Sequence, residues 1–120
     1  MDRLQTSYGF PAILCTLGPK GCAAIVGAHF IALPAYPAHT IDTTAAGDAF
    51  TGAFLCRLAE MRHSLAELTR EEVDQLVRFA NAAGGLTTAK KGAISALPSR
   101  REVDQAAAEP LPEMTEEKEL

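Results

Sequence analysis

Between Asp42 and Phe54 the chain reads D-T-T-A-A-G-D-A-F-T-G-A-F, and the spacing of its apolar residues changes there. Before this stretch, apolar residues come in short unbroken runs bounded by Gly and Pro. After it, Phe50, Phe54, Leu55 and Leu58 recur at helical spacing. Strands therefore come first and helices second, the order expected of the second half of a larger α/β sheet domain. Phe10 to Leu17 is a continuous apolar run closed by Gly18, the pattern of a strand buried on both faces, as in a parallel sheet. Gly18-Pro19-Lys20-Gly21 supplies a turn. Cys22 to Val26 and Phe30 to Leu33 read as strands of a hairpin joined by Gly27-Ala28-His29. Pro34 and Pro37 then interrupt regular structure, and Thr40 to Thr44 reads as a last short extended segment.

The helical half has three start signals. Ser64 with Glu67, Thr69 with Glu72 and Ser99 with Glu102 all have capping-box spacing. Ahead of them, a helix is expected from about Ala46 to Met61, with Gly52 letting it pack tightly on its sheet. The Thr69 box opens a longer helix whose apolar stripe is Val73, Leu76, Val77, Ala80 and Ala83. Ala82, Ala83, Gly84 and Gly85 make one end slim enough for close backbone approach. Lys91-Gly92 ends that region. The Ser99 box opens a short helix through about Ala107.

Composition narrows the function classes. The 120 residues are 48% hydrophobic and 22% charged, which suits one modest domain with a real core. The net charge of −4 falls entirely in Glu109 to Leu120, where five Glu face one Lys. Residues 1–108 are close to neutral and carry no basic footprint for nucleic acid. Residues 109–120 are expected to be an acidic, disordered tail. No apolar run is long enough to span a bilayer, and no basic segment leads into a long apolar one. Cys15, Cys22 and Cys56 lack metal spacing and are read as buried thiols of a cytoplasmic protein. His29, His39 and His63 are scattered, which suits structural or surface roles.

The stretch from Asp42 to Phe54 carries the chemistry. Ala45, Ala46 and Gly47 are tiny, so a ligand can touch their backbone. They stand where an extended segment turns into a helix, and free N–H groups at a helix start favour an anion. Asp48, in the first turn, is an acceptor beside that anion and a sensible general base. The same four residues would also serve an ordinary helix start, with Asp favourable to the dipole. Likewise Gly18 and Gly21 suit a plain turn, Asn81 a polar helix face, Asp42 a turn, and Lys90 and Lys91 a solvated helix end.

The full stretch, D-T-T-x-A-G-D-x-F-x-G-A, closely resembles the second signature of the PfkB (ribokinase-like) carbohydrate kinases. Thr16-Leu17-Gly18-Pro19-Lys20-Gly21-Cys22 is similar to that family's T-L-G-x-x-G strand and turn. Phe79 to Ala83 and Lys90 to Pro98 resemble its later helix and loop, and the likeness covers about residues 10 to 107. Where Ala96 stands, the family's ribokinases often have Ser.

The resemblance implies the C-terminal portion of a ribokinase-like three-layer α/β/α domain and an ATP-dependent sugar kinase. Asp48 would take the proton of the attacking sugar hydroxyl. The backbone of Ala45, Ala46, Gly47 and Asp48 would form an anion hole for the migrating phosphoryl group. Thr16, Leu17, Gly18, Lys20 and Gly21 would line the ATP site, and Asn81 would face adenine or ribose. A monovalent cation, usually K+, would be held by Asp42, the Thr44 carbonyl and the loop around Thr87, Lys90 and Gly92. Mg2+ would accompany ATP. Ribose and fructose compete as substrate, and a full-length form could be a homodimer. The family's Gly-Gly sugar motif and Asn-x-x-Glu segment do not occur in this chain. It is therefore expected to be a fragment, prone to self-association and nearly inactive alone. The alternative is a non-catalytic nucleotide-binding or interaction module.

Overall fold

The apolar runs become three antiparallel strands because a glycine with positive φ stands at each connection. In the computed structural model, which describes residues 12–16, 20–37, 46–61, 64–88 and 98–111, these are β1 (Ala12–Thr16), β2 (Cys22–Val26) and β3 (His29–Leu33). Gly21 has φ 106° and Gly27 has φ 59°. Gly27 and Ala28 alone join β2 to β3, a two-residue hairpin whose first central position needs positive φ. The sheet runs in the order β1-β2-β3 with both pairs antiparallel, Ala12 opposite Val26 and Cys22 opposite Leu33.

This corrects the parallel reading of the first strand. β1 is half-buried and forms a meander with its neighbours. Its continuous apolar run still has a physical meaning. Register places Ala12, Leu14, Cys22, Ala24, Val26, Ile31 and Leu33 on the face that packs into the core. The opposite face carries Ile13, Cys15, Ala23, Ile25, Phe30 and Ala32, so it is apolar as well. Both faces of the sheet are built to be covered.

Each helix starts where its local signal stands. The helix α1 spans Ala46–Met61, a single 3₁₀ turn spans Leu65–Glu67, and α2 and α3 span Arg70–Thr88 and Arg100–Ala107. The Glu67 carboxylate accepts from the N–H and Oγ of Ser64. At α2, Thr69 N–H donates to Glu72 at 3.0 Å while Glu72 N–H donates to Thr69 Oγ1 at 3.1 Å. Ser99 and Glu102 make the same reciprocal pair at α3. Each pair satisfies donors that a helix start otherwise leaves free.

The long helix α2 is the centre of the packing. It lies against β2 and β3, with α1 and α3 alongside it. Val73, Leu76, Val77 and Ala80 join Phe50 and Phe54 of α1 and the inner sheet face in one core. Phe79, Ala82 and Ala83 meet Val103 and Ala106 of α3 in a second. His29 Nε2 donates to the Leu68 carbonyl, and Arg70 donates to the Phe30 carbonyl, so the start of α2 is fastened to β3. Arg100 binds Glu60 through two nitrogens, reaches Asp104, and sits 4.7 Å from the centre of the Phe79 ring. The Arg100 guanidinium holds the exposed Glu60 carboxyl below its ordinary range. Leu111 packs against the first core, so residues 109–111 lie along the body of the chain.

Three expectations fail, and the failures on α1 share one reason. Leu55 is 58% exposed, Cys56 is exposed and Cys15 is only half-buried. Gly52 faces open space, with nothing within 4 Å of a Cβ built there, so it makes no close approach to the sheet. The outer side of α1 is apolar or small in composition yet uncovered in this chain. Phe10, Leu17, the segment 40–44, the helix stop at Lys91-Gly92 and residues 112–120 lie outside the described residues.

Burial separates two adjacent apolar residues of α1. Phe54→Ala should lower unfolding free energy by about 3–5 kcal/mol, whereas Leu55→Ala should change it by less than about 0.5 kcal/mol. Urea titrations followed by circular dichroism measure both. Equal effects would show that the facing of α1 is wrong.

Candidate active site

The start of α1 is placed by a glycine on another helix. Ala46 is its first residue, and a Cβ built on Gly84 of α2 would lie 3.3 Å from the Ala46 carbonyl oxygen and 3.6 Å from Phe50 Cβ. Phe50, one turn in, is 3% exposed and anchors that seating. Gly47 and Asp48 then fall on the open side, and both are exposed. A Cβ on Gly47 would meet nothing within 4 Å. The first N–H groups of a helix have no intrahelical acceptor, and the dipole makes that end electropositive. An open backbone and a solvent-facing carboxylate thus stand side by side. Such an arrangement can hold an anion and accept a proton beside it.

The second element of the site is the β1–β2 connection. Thr16 ends β1, exposed, and pairs with Cys22 at the start of β2, with Lys20 and Gly21 leading into that pair. Lys20 is exposed and Gly21 is buried. A Cβ on Gly21 would overlap the Leu33 carbonyl oxygen and lie 2.7 Å from the Pro34 carbonyl carbon. Only glycine fits that position, both for its φ and for this contact. Beneath the loop, burial pushes the Cys22 thiol up to about 11, against a backbone hydrogen bond from Leu33 that lowers it, with nearby Cys15 adding to the rise. Cys22 is therefore an inert core thiol.

Asn81 and Thr87 are the buried polar residues of α2, 7% and 1% exposed. Asn81 Nδ2 donates to the Pro34 carbonyl at 2.9 Å. The Thr87 hydroxyl donates to the Ala83 carbonyl at 2.8 Å, one turn back in the same helix. Tyr36 packs against Gly85, where a Cβ would lie 2.7 Å from Tyr36 Cβ. Asn81 and Gly84 therefore bring the exit of β3 and the start of α1 to the last turns of α2, where Thr87 also lies, and Gly21 meets that same exit of β3. Leu17, Gly18, Asp42, Thr44, Ala45, Lys90 and Gly92 lie outside the described residues. Sequence reasoning missed Pro34 and Tyr36 as partners of α2. Proline marked only a break in regular structure, and nothing local signals a contact 47 residues away.

Among the described residues, no group of three His, Cys, Asp or Glu side chains could hold a metal ion, and no helix is long and apolar enough to cross a membrane.

Comparison with known proteins supplies a context for this geometry. Residues 2–100 match the model of the pfkB family carbohydrate kinases. Fructokinase-1 of Oryza sativa subsp. japonica is 42% identical over 91 residues, which is 76% of this chain and 28% of that protein. The ribokinase of Arabidopsis thaliana, solved with ribose and ATP, superposes with a TM-score of 0.66 at 33% identity over 83% of this chain and 30% of its own. Phosphofructokinase-2 of Escherichia coli, solved with potassium, gives a TM-score of 0.71 at 27% identity over 89% of this chain and 31% of its own. The chain thus spans under a third of the length of each of these relatives.

Two glycines of the site should respond oppositely to the same change. Gly21→Ala forces both a disfavoured φ and a backbone overlap and should cost at least about 2 kcal/mol. Gly47→Ala meets open space and should leave stability unchanged or raise it by about 0.5–1 kcal/mol. Thermal melts of the two variants check this, and a Gly47→Ala as damaging as Gly21→Ala would contradict the open helix start.

Proposed function

The chain belongs to the pfkB family of carbohydrate kinases, and on that premise we propose that it is the nucleotide-handling part of an ATP-dependent sugar kinase. ATP, when bound, supplies the phosphoryl group. The chain's own residues hold and orient it. In this reading the N–H groups of Ala45, Ala46, Gly47 and Asp48 hold the charge that develops on the transferred group. Asp48 takes the proton from the attacking sugar hydroxyl. Thr16, Leu17, Gly18, Lys20 and Gly21 line the nucleotide site. The observation that carries the reading is the exposed Asp48 in the first turn of α1, next to a backbone that Gly47 leaves open.

The fit to each implied group differs. An anion suits the open helix start, because free N–H groups and the dipole converge there. Magnesium finds no ligand cluster among the described residues, and no step is assigned to it. A potassium ion beside the anion hole is proposed from the E. coli relative solved with potassium. Thr87 is the described candidate for it, with Asp42, Thr44, Lys90 and Gly92 as the others. Relatives named fructokinase and ribokinase make fructose and ribose the leading acceptors. Transfer also requires the acceptor to be held in line with the phosphate. Turnover is therefore assigned to a full-length cytoplasmic enzyme, a homodimer in this reading, and nucleotide binding without turnover to the isolated chain.

The test is Asp48→Asn in the full-length protein that carries this segment. The change keeps the shape and removes the base. Steady-state kinetics with fructose and with ribose should show kcat reduced about 10²–10⁴-fold, with ATP affinity close to that of the parent. Phosphorylation at a near-parental rate would overturn the assignment of the base.

A further inference from the structure

Pro34 is the first residue beyond β3, and two other elements touch its peptide. Gly21 lies against it, so close that a Cβ there would overlap the Leu33 carbonyl oxygen and come within 2.8 Å of the Ala35 nitrogen. Asn81 holds the same peptide through its 2.9 Å bond to the Pro34 carbonyl. One turn further along α2, Gly85 receives Tyr36. The exit of β3 thus touches both the β1–β2 connection and the slim end of α2.

Asn81 is a costly choice at this position unless the bond matters. Its neighbours Ala80, Ala82 and Ala83 are all buried, and alanine would be the better helix former. Burying a carboxamide is unfavourable unless it is hydrogen-bonded. The bond it makes joins positions 47 residues apart, so its effect is tertiary and not local. With 7% of its surface exposed, the side chain has little area to offer a ligand.

We propose that Asn81 is a positioning residue of the nucleotide site. It fixes the Pro34 peptide on which the Lys20-Gly21 turn is built, and it acts on the nucleotide through that turn without reading the base. This rests on the reading of the turn as part of the nucleotide site. Two predictions distinguish it from direct contact with adenine. Loss of the bond weakens all nucleotides equally. Restoring a donor at the same place restores binding.

The experiment is calorimetric titration of ATP, ADP and GTP into the chain and its Asn81→Asp and Asn81→Ala variants, with inorganic phosphate as a probe of the α1 start. The aspartate side chain has the same shape but no donor when ionised. Its protonated form, reached as pH falls, can donate to the Pro34 carbonyl again. At neutral pH both variants should lose about tenfold in affinity for each nucleotide. As pH falls, Asn81→Asp should recover relative to wild type at the same pH, while Asn81→Ala should not. Phosphate affinity should stay within about twofold of wild type, because Gly84 and not Asn81 seats α1.

A larger loss for ATP than for GTP would overturn the proposal in favour of base reading. An equal loss of phosphate binding, or no recovery at low pH, would reduce Asn81 to a structural residue and overturn it too. Should the variants fail to fold, amide hydrogen exchange on the wild-type chain decides. ATP should slow exchange at Gly21 and Ala35 together, and protection of Gly21 alone would sink the coupling. A folded wild-type chain that binds phosphate but no nucleotide would instead remove the nucleotide reading of the turn, and this proposal with it.

Discussion

Everything in the site depends on the slimness of one end of α2. Over Asn81 to Gly85 the helix presents no side chain larger than a carboxamide, so two stretches remote in sequence can approach its backbone. Gly84 takes the carbonyl of Ala46 and the side chain of Phe50, and Gly85 takes Tyr36. Two successive glycines inside a helix cost roughly 0.5–1 kcal/mol each relative to alanine. That cost is offset by the packing they permit, and the packing sets where the start of α1 and the exit of β3 stand. The same helix carries Val73, Leu76 and Val77 into the main core and Phe79 into the second, so the slim end is held rigidly by a well-buried body.

From that seating the exposed chemistry follows. Phe50 and Phe54 turn inward, and this forces Gly47, Asp48, Thr51 and Gly52 outward on the same helix. The helix start is therefore open because its next turn is anchored. The outer side of α1 and the second face of the sheet share one property. Both are made of small or apolar residues that this chain does not fully cover, with Leu55 and Phe30 among them. The chain spans under a third of the length of the relatives it matches.

Much of this was legible in the sequence where the signals are local. The three capping-box spacings mark real starts at Leu65, Arg70 and Arg100, and the change of apolar period at Gly47 marks α1 to within its observed bounds. The hairpin at Gly27 was equally plain. What was not legible depends on tertiary partners. A continuous apolar run says that both faces are apolar, but not whether the neighbour runs parallel, and β1 is antiparallel to β2. Helical spacing includes Leu55 in the stripe of α1, yet it points away from α2. In the Asp42–Phe54 stretch, the local pattern places Gly47 and Asp48 in the first turn of α1, and both are exposed there. Asn81 did not announce its partner, since a carbonyl 47 residues away leaves no mark in local sequence.

In the proposed function, the start of α1 holds a phosphate-like anion beside Asp48 while the β1–β2 turn holds the rest of a nucleotide. Amide chemical shifts of the isotope-labelled chain, followed as phosphate and then ATP are added, test it most directly. Phosphate should move Gly47 and Asp48 most, and ATP should move these together with Lys20 and Gly21. A folded chain in which Gly47 and Asp48 stay still while other amides respond would contradict it.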